Sequence, residues 1–208
     1  SDAARSTSWY NETLDHAAST CVEGTDDRCG QRAFPRKAII VATNSGSNGA
    51  NVSIYDAKDN SLWMQFQKSG STDGMIGTAT SNTISSVFAL NGKLYVGNNG
   101  GSAGGLYVID FTRDTAYKYN ATGNYSGTLP ISSRNSANTW LAYTTTANNL
   151  IPSATINNVR AAYIHGKDYF AVATAGGGRG AAALFNYSTQ TLIANFGANA
   201  NSTHVALT

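Results

Sequence analysis

Short apolar runs alternate with Gly, Asn, Asp and Ser along the chain, and the same pattern is written three times. Val41-Ala42-Thr43-Asn44-Ser45-Gly46 aligns with Val96-Gly97-Asn98-Asn99-Gly100-Gly101 and with Val172-Ala173-Thr174-Ala175-Gly176-Gly177. A second strand follows each and ends in an Asx residue: SIYD to Asp56, YVID to Asp110 and ALFN to Asn186. Thr43 to Asp56 spans 13 residues; Asn98 to Asp110 and Thr174 to Asn186 each span 12. A further strand comes next: SLWMQF (61–66), TAYKYN (115–120) and TLIANF (191–196). Two units also open with a strand. SSVFAL turns at Asn91-Gly92 into KLYVG, and RAAYI turns at His165-Gly166 into KDYFAVAT. Asn-Gly is a strong hairpin signal, because a type I′ turn needs two residues of positive φ.

Each unit therefore predicts four short antiparallel strands. Repeated four-stranded units are the signature of propeller blades. The expected fold class is all-β and β-propeller-like, either an incomplete propeller or part of a longer chain. The spacing is irregular, 55 residues from Val41 to Val96 and 76 from Val96 to Val172. The first unit lacks an opening strand, while THVALT (203–208) reads as an opening strand with nothing after it. That segment could complete the first unit and close a ring, or further units could follow. The second alternative is preferred, because three blades are few for a closed propeller. Residues 1–36 form an irregular N-terminal segment, with a short helix or turn in SWYNETLDHAAS. Residues 37–208 form the β domain, interrupted by a long polar excursion at 121–158. Its Tyr125, Trp140 and Tyr143 point to partial packing, since loops this long are uncommon unless functional or self-packed.

Hydrophobic residues make up 41% of the 208 residues, enough for a sizeable core. Charged residues are only 12%, about half the usual share. The polar surface is thus Asn, Ser, Thr and Gly, a composition common outside the cytoplasm. A net charge of +2 argues against a nucleic-acid partner. Three basic residues in RAFPRK (32–37) precede a strand, where they solvate an edge. No apolar run approaches the ~18 residues of a membrane span. Cys21 and Cys29, in CVEGTDDRC, suit a small disulfide loop and an oxidising location. Free thiols, or a metal clip with Asp26 or Asp27, are the alternatives. The clip lacks the paired CxxC spacing of a zinc site.

No sequence pattern marks catalysis, and the expectation is a non-enzyme without a metal or cofactor. The pairs Asp56/Asp59 and Asp110/Asp114 sit between strands, where Asx side chains bond their own backbone. Calcium coordination by DAKDN (56–60) is the rival, with low carboxylate density. Gly176-Gly177-Gly178-Arg179-Gly180 opens a strand rather than a helix and lacks the GK[ST] of a phosphate loop. Tyr95, Tyr107, Phe170, Phe185 and Trp63 fall on strands and are expected in the core. Trp9, Tyr10, Tyr125, Trp140 and Tyr143 lie in irregular segments and are the candidates for contact with a glycan or a partner.

Several stretches in order resemble a known family: WYNETL (9–14), AFPRKAIIVAT (33–43), SIYDAKDNSLWMQF (53–66), SVFALNGKLYVG (86–97) and GLYVIDF (105–111). NNLIPSATINNVRAAYI (148–164) and AVATAGG (171–177) continue it. They are similar to large structural or tail-fibre proteins of marine, podovirus-like bacteriophages, over most of 9–196. The chain departs from that pattern around Cys21 to Arg32, and stops where the family's longer chains are expected to continue. The resemblance implies a virion component of the tail or its fibres, virion or extracellular in location, assembling with other virion subunits as a homo-oligomer. It carries over no catalytic residue. The alternatives are a receptor- or glycan-binding module for a host surface glycan, and a secreted or cell-surface bacterial β-protein.

Overall fold

The computed structural model describes residues 35–45, 49–66, 75–76, 83–99, 104–120, 123–127, 131, 134, 144–146, 151–175, 180–197 and 201–207. At 45, 49, 120, 123–127 and 144–146 only the backbone is described. Trp9, Tyr10, Cys21, Cys29, Trp140 and Tyr143 lie outside these residues, as does the expected helix or turn near the N-terminus.

The described residues are all-β, in three open antiparallel sheets. Sheet 1 holds β1 (Ala38–Ser45), β2 (Gly49–Asp56) and β3 (Ser61–Phe66) in that order. Sheet 2 begins with β4 (Ile84–Leu90), β5 (Lys93–Asn98), β6 (Gly105–Asp110) and β7 (Thr115–Asn120). Sheet 3 is β10 (Ile156–Ile164), β11 (Lys167–Thr174), β12 (Ala182–Asn186) and β13 (Thr191–Phe196). The predicted repeat is thus present, and its registers coincide. Leu94 pairs with Ile109, Phe170 with Phe185, and Ile39 with Tyr55.

The turns carry the repeat. Asn91 and Gly92 have φ of 50° and 68°, and His165 and Gly166 have 47° and 79°, as a type I′ reversal requires. Between the last two strands of each unit an Asx side chain caps the turn. Asp56 Oδ1 accepts from Lys58 N–H at 2.8 Å, Asp110 Oδ1 from Thr112 N–H at 2.9 Å, and Asn186 Oδ1 from Thr189 N–H at 3.3 Å. Each turn closes on a left-handed residue: Asn60, Asp114 or Gln190.

Two expectations need correction. The 121–158 excursion is not only a loop. It adds β8 (Gly123–Gly127) and β9 (Thr144–Thr146) to sheet 2, making it six-stranded. It also reaches back into the core, because Ile131 is fully buried and Arg134 Nε donates to Gln65 O at 2.9 Å. The second concerns THVALT, read as an opening strand, which is not a strand over its described residues. Residues 201–207 form no strand, and the segment meets sheet 3 at Ser202, whose N–H donates to Thr174 O at 3.0 Å.

Sheet 2 is buried between the other two. One core joins Val52, Ile54, Met64 and Phe66 of sheet 1 to Leu94, Val96, Tyr107 and Ile109 of sheet 2. The other joins Tyr95, Leu106, Val108 and Tyr119 to Phe170, Val172, Ala183 and Phe185 of sheet 3. Every residue of β5 and β6 is buried. The strand aromatics Tyr95, Tyr107, Phe170, Phe185 and Trp63 are in these cores, as the sequence predicts. Phe170 and Phe185 stack at 4.8 Å with Tyr119 edge-on to Phe170 at 5.3 Å. Each such side chain contributes roughly 1.5–3 kcal/mol.

Gly97 of sheet 2 lies directly against Ile156 of sheet 3. A Cβ there would stand 2.6 Å from Ile156 Cγ2. Gly97→Ala should therefore destabilise the fold by about 1–3 kcal/mol through overpacking, despite the usual advantage of Ala over Gly in a strand. Urea denaturation of the variant checks this, and the loss should be smaller when Gly97→Ala is made in an Ile156→Ala background, where Cγ2 is gone.

Candidate functional site

The described residues gather their polar and ionisable side chains where the ends of sheets 2 and 3 meet. The centre is Tyr187, which follows the Asx residue of the third unit. Its position is set by backbone: Tyr187 N–H donates to Asp168 O at 2.9 Å. Phe111 N–H to Gly92 O and Ala57 N–H to Lys37 O, both 2.9 Å, are the same bond in the other units. In the second and third units this turns the residue after the Asx, Phe111 or Tyr187, into a core. In the third unit that residue carries a hydroxyl.

The Tyr187 phenol donates to Asp110 Oδ2 at 2.7 Å, from sheet 3 to sheet 2. Asp110 is fully buried, and its other oxygen accepts the N–H groups of Thr112 and Arg113 at 2.9 and 3.1 Å. Arg113 Nε stands 3.8 Å from Asp110 Oδ2. Lys93 Nζ, from the start of β5, lies 2.7 Å from Asp168 Oδ2 and 5.0 Å from the Tyr187 ring centre. Asn91 Nδ2 donates to the other Asp168 oxygen at 2.9 Å. Two carboxylates thus meet two cations and one phenol across the sheet junction.

The tyrosines hold their protons firmly. Burial raises the Tyr187 phenol above its ordinary value, and the Asp110 charge raises it further. Tyr95 is raised by burial, then by the charges of Asp168 and Asp110. Tyr119 is raised chiefly by burial, and its phenol donates to Gln190. A phenol held protonated beside a carboxylate is a fixed donor. Lys93 and Arg113 each face a carboxylate and an aromatic ring. The arrangement can therefore pin the β4–β5 hairpin of sheet 2 against sheet 3.

Sequence reasoning singled out Asp110 only as a turn former and missed Lys93, Asp168 and Tyr187. One signal was available, since the residue after the Asx is aromatic in two units, Phe111 and Tyr187, and Ala57 in the first. The Asp56/Asp59 pair caps its own turn, with Asp59 Oδ1 accepting Ser61 N–H at 3.1 Å. Asp114 is buried and its Oδ1 accepts Ile131 N–H at 2.8 Å, tying the excursion to the turn. Among the described residues no group of three or more His, Cys, Asp or Glu is placed to hold a metal ion. Of the five proposed contact aromatics, Tyr125 alone has a described backbone, on β8 opposite Lys118 and Thr145.

Tyr187→Phe removes the phenol donor from a buried carboxylate and should cost about 1–3 kcal/mol, measured by chemical denaturation. Raised phenol values also set an alkaline limit. A proton held more tightly in the folded state stabilises the fold fully below the unfolded value of ~10 and is lost as pH rises above it. Stability should be level up to about pH 10 and then fall by roughly 1.4 kcal/mol per pH unit for each of Tyr95, Tyr119 and Tyr187. Phenolate absorbance of these three should appear only with cooperative unfolding. Compared with protein-family models, curated proteins and solved structures, the chain gives no match in any of the three.

Proposed function

We propose that this protein is a structural component of a bacteriophage virion, in the tail or tail fibre, built as a propeller-like array of sheets that assembles with its neighbours and presents surface. One observation carries the reading: a single sheet design is used three times and stacked face to face. The prominent carboxylates and tyrosines of the repeat hold turns and sheets in place. Repetition of this kind makes a rigid platform from a short set of rules. The segments that resemble marine phage structural proteins support the same reading. Ser53–Phe66 spans the second half of β2, its capped turn and β3, and Ser86–Gly97 spans most of the β4–β5 hairpin.

Immunogold labelling of phage particles with an antibody against the β domain tests the proposal. Label on the tail or fibre is the expected result. Label restricted to the fibre tip would assign receptor contact to the same protein. Label on cell envelopes with none on particles would overturn the virion reading in favour of a bacterial surface protein.

A further inference from the structure

The coinciding registers allow each sheet to be compared with the next, position by position. Ile39 of sheet 1 stands where sheet 2 has Leu94 and sheet 3 has Phe170. Val41 likewise corresponds to Val96 and Val172. Leu94, Phe170, Val96 and Val172 are all 0% exposed, because each faces the preceding sheet. Ile39 and Val41 are 44% and 39% exposed. The outer face of sheet 1 thus has the chemistry of a receiving face with nothing described against it.

The outer face of sheet 3 shows the complement. Phe196 pairs with Ala182 as Phe66 pairs with Val52 and Tyr119 with Leu106. Phe66 and Tyr119 are 0% exposed beneath the following sheet, while Phe196 is 54% exposed. Trp63 and Ile193 are the bulged residues at matching points of β3 and β13. Trp63 is 6% exposed, edge-on to Phe111 of the following sheet, and Ile193 is 50% exposed. Among the described residues, four of the five large exposed apolar side chains therefore occupy positions that are buried in the neighbouring units. They divide between the two ends of the stack.

A third observation joins these ends. The Ser202–Leu207 segment meets sheet 3 at Ser202, where the opening strand of a following unit would begin. The β4 residue Ser85 donates through its hydroxyl to Ile156 O, at the start of sheet 3. Its counterpart Asn157 donates through Nδ2 to Ser202 O at 2.7 Å. Val205 and Leu207 are half-buried, in alternation, as Val159 and Ala161 alternate in β10. No described strand pairs with the free edge of β1.

We infer that the protein assembles head to tail with a second copy of itself, the outer face of sheet 1 seating on the outer face of sheet 3. The Ser202–Leu207 segment of one copy then takes, beside β1 of the other, the place that β4 holds beside β5 and β10 beside β11. By the registers of Val87 with Val96 and of Val159 with Val172, Val205 pairs with Val41. One contact satisfies both apolar faces and an unpaired strand edge, and it repeats the interface already present twice within the chain. Such a contact is heterologous, so it propagates into a ring or a filament. It deepens the assembly reading, and it is tested separately from it, since labelling of particles does not depend on it.

The test uses the 208-residue chain and two variants, Val41→Asp at the head and Phe196→Asp at the tail. Light scattering over a concentration series should show the unaltered chain growing beyond a monomer. Each variant alone should stay monomeric, since each keeps one sound face and no partner for it. Mixed in equal amounts, the variants should form a one-to-one complex of twice the mass, because the sound tail of one meets the sound head of the other. Ile39→Asn with Ile193→Asn should repeat the result if either first variant misfolds by circular dichroism. An unaltered chain that stays monomeric throughout overturns the inference. So does a dimer that the mixture of variants fails to reconstitute, because that is the behaviour of a two-fold symmetric contact.

Discussion

The burial of sheet 2 on both faces is the constraint on which the rest of the structure depends. A sheet that faces water on one side alternates apolar and polar residues. A sheet covered on both sides must be apolar at successive positions. LYV in β5 and LYVI in β6 meet that demand, and sheets 1 and 3 supply the covers. Two cores then share one wall. Leu94, Val96, Tyr107 and Ile109 belong to the first, and Tyr95, Leu106, Val108 and Tyr119 to the second. A change in the wall is felt in both, so the three sheets form one packed body rather than three independent modules.

Such a wall works only if every strand ends at the right place. The Asx caps and left-handed turn residues do this cheaply, because the side chain replaces hydrogen bonds that the ladder can no longer supply. In the second and third units the backbone bond from the residue after the Asx fixes that residue's side chain in a core. Phe111 uses that position to meet Trp63 and Phe66 of sheet 1. Tyr187 uses it to reach Asp110. The polar junction between sheets 2 and 3 is thus a local variation on a position whose role is otherwise apolar. Its charges are matched in place, which limits the cost of burying them.

Much of this was legible in the sequence. TAYKYN, SLWMQF and TLIANF were bounded correctly because Asx turns mark one end of each strand. The hairpins at Asn91-Gly92 and His165-Gly166 were legible because positive φ has few residue solutions. β8 and β9 were not legible. They are short, rich in Gly, Ser and Thr, and owe their pairing to the sheet edge rather than to a pattern of their own. The Lys93–Asp168 and Tyr187–Asp110 contacts join residues 75 and 77 positions apart, and nothing local announces them. The stacking order was hidden for the same reason, since periodicity gives the faces of a strand but not what each face meets.

β1 shows where the sequence says more than strand identity. Ala38-Ile39-Ile40-Val41-Ala42 is a continuous apolar run of the kind found in strands buried on both sides. Its flanking Arg36 and Lys37 are exposed, and charged residues of this kind guard a free edge. The two signals differ because they act on different surfaces. Charge before the strand limits indiscriminate pairing, while the run itself keeps a face suited to a partner of matching shape. Ile40 and Ala42 meet sheet 2, and Ile39 and Val41 point the other way. An end unit selected only for solubility would carry Thr or Lys at those two positions, as the solvent-facing side of an antiparallel sheet ordinarily does. Ile39 and Val41 instead leave that face apolar, as the inferred head-to-tail contact requires.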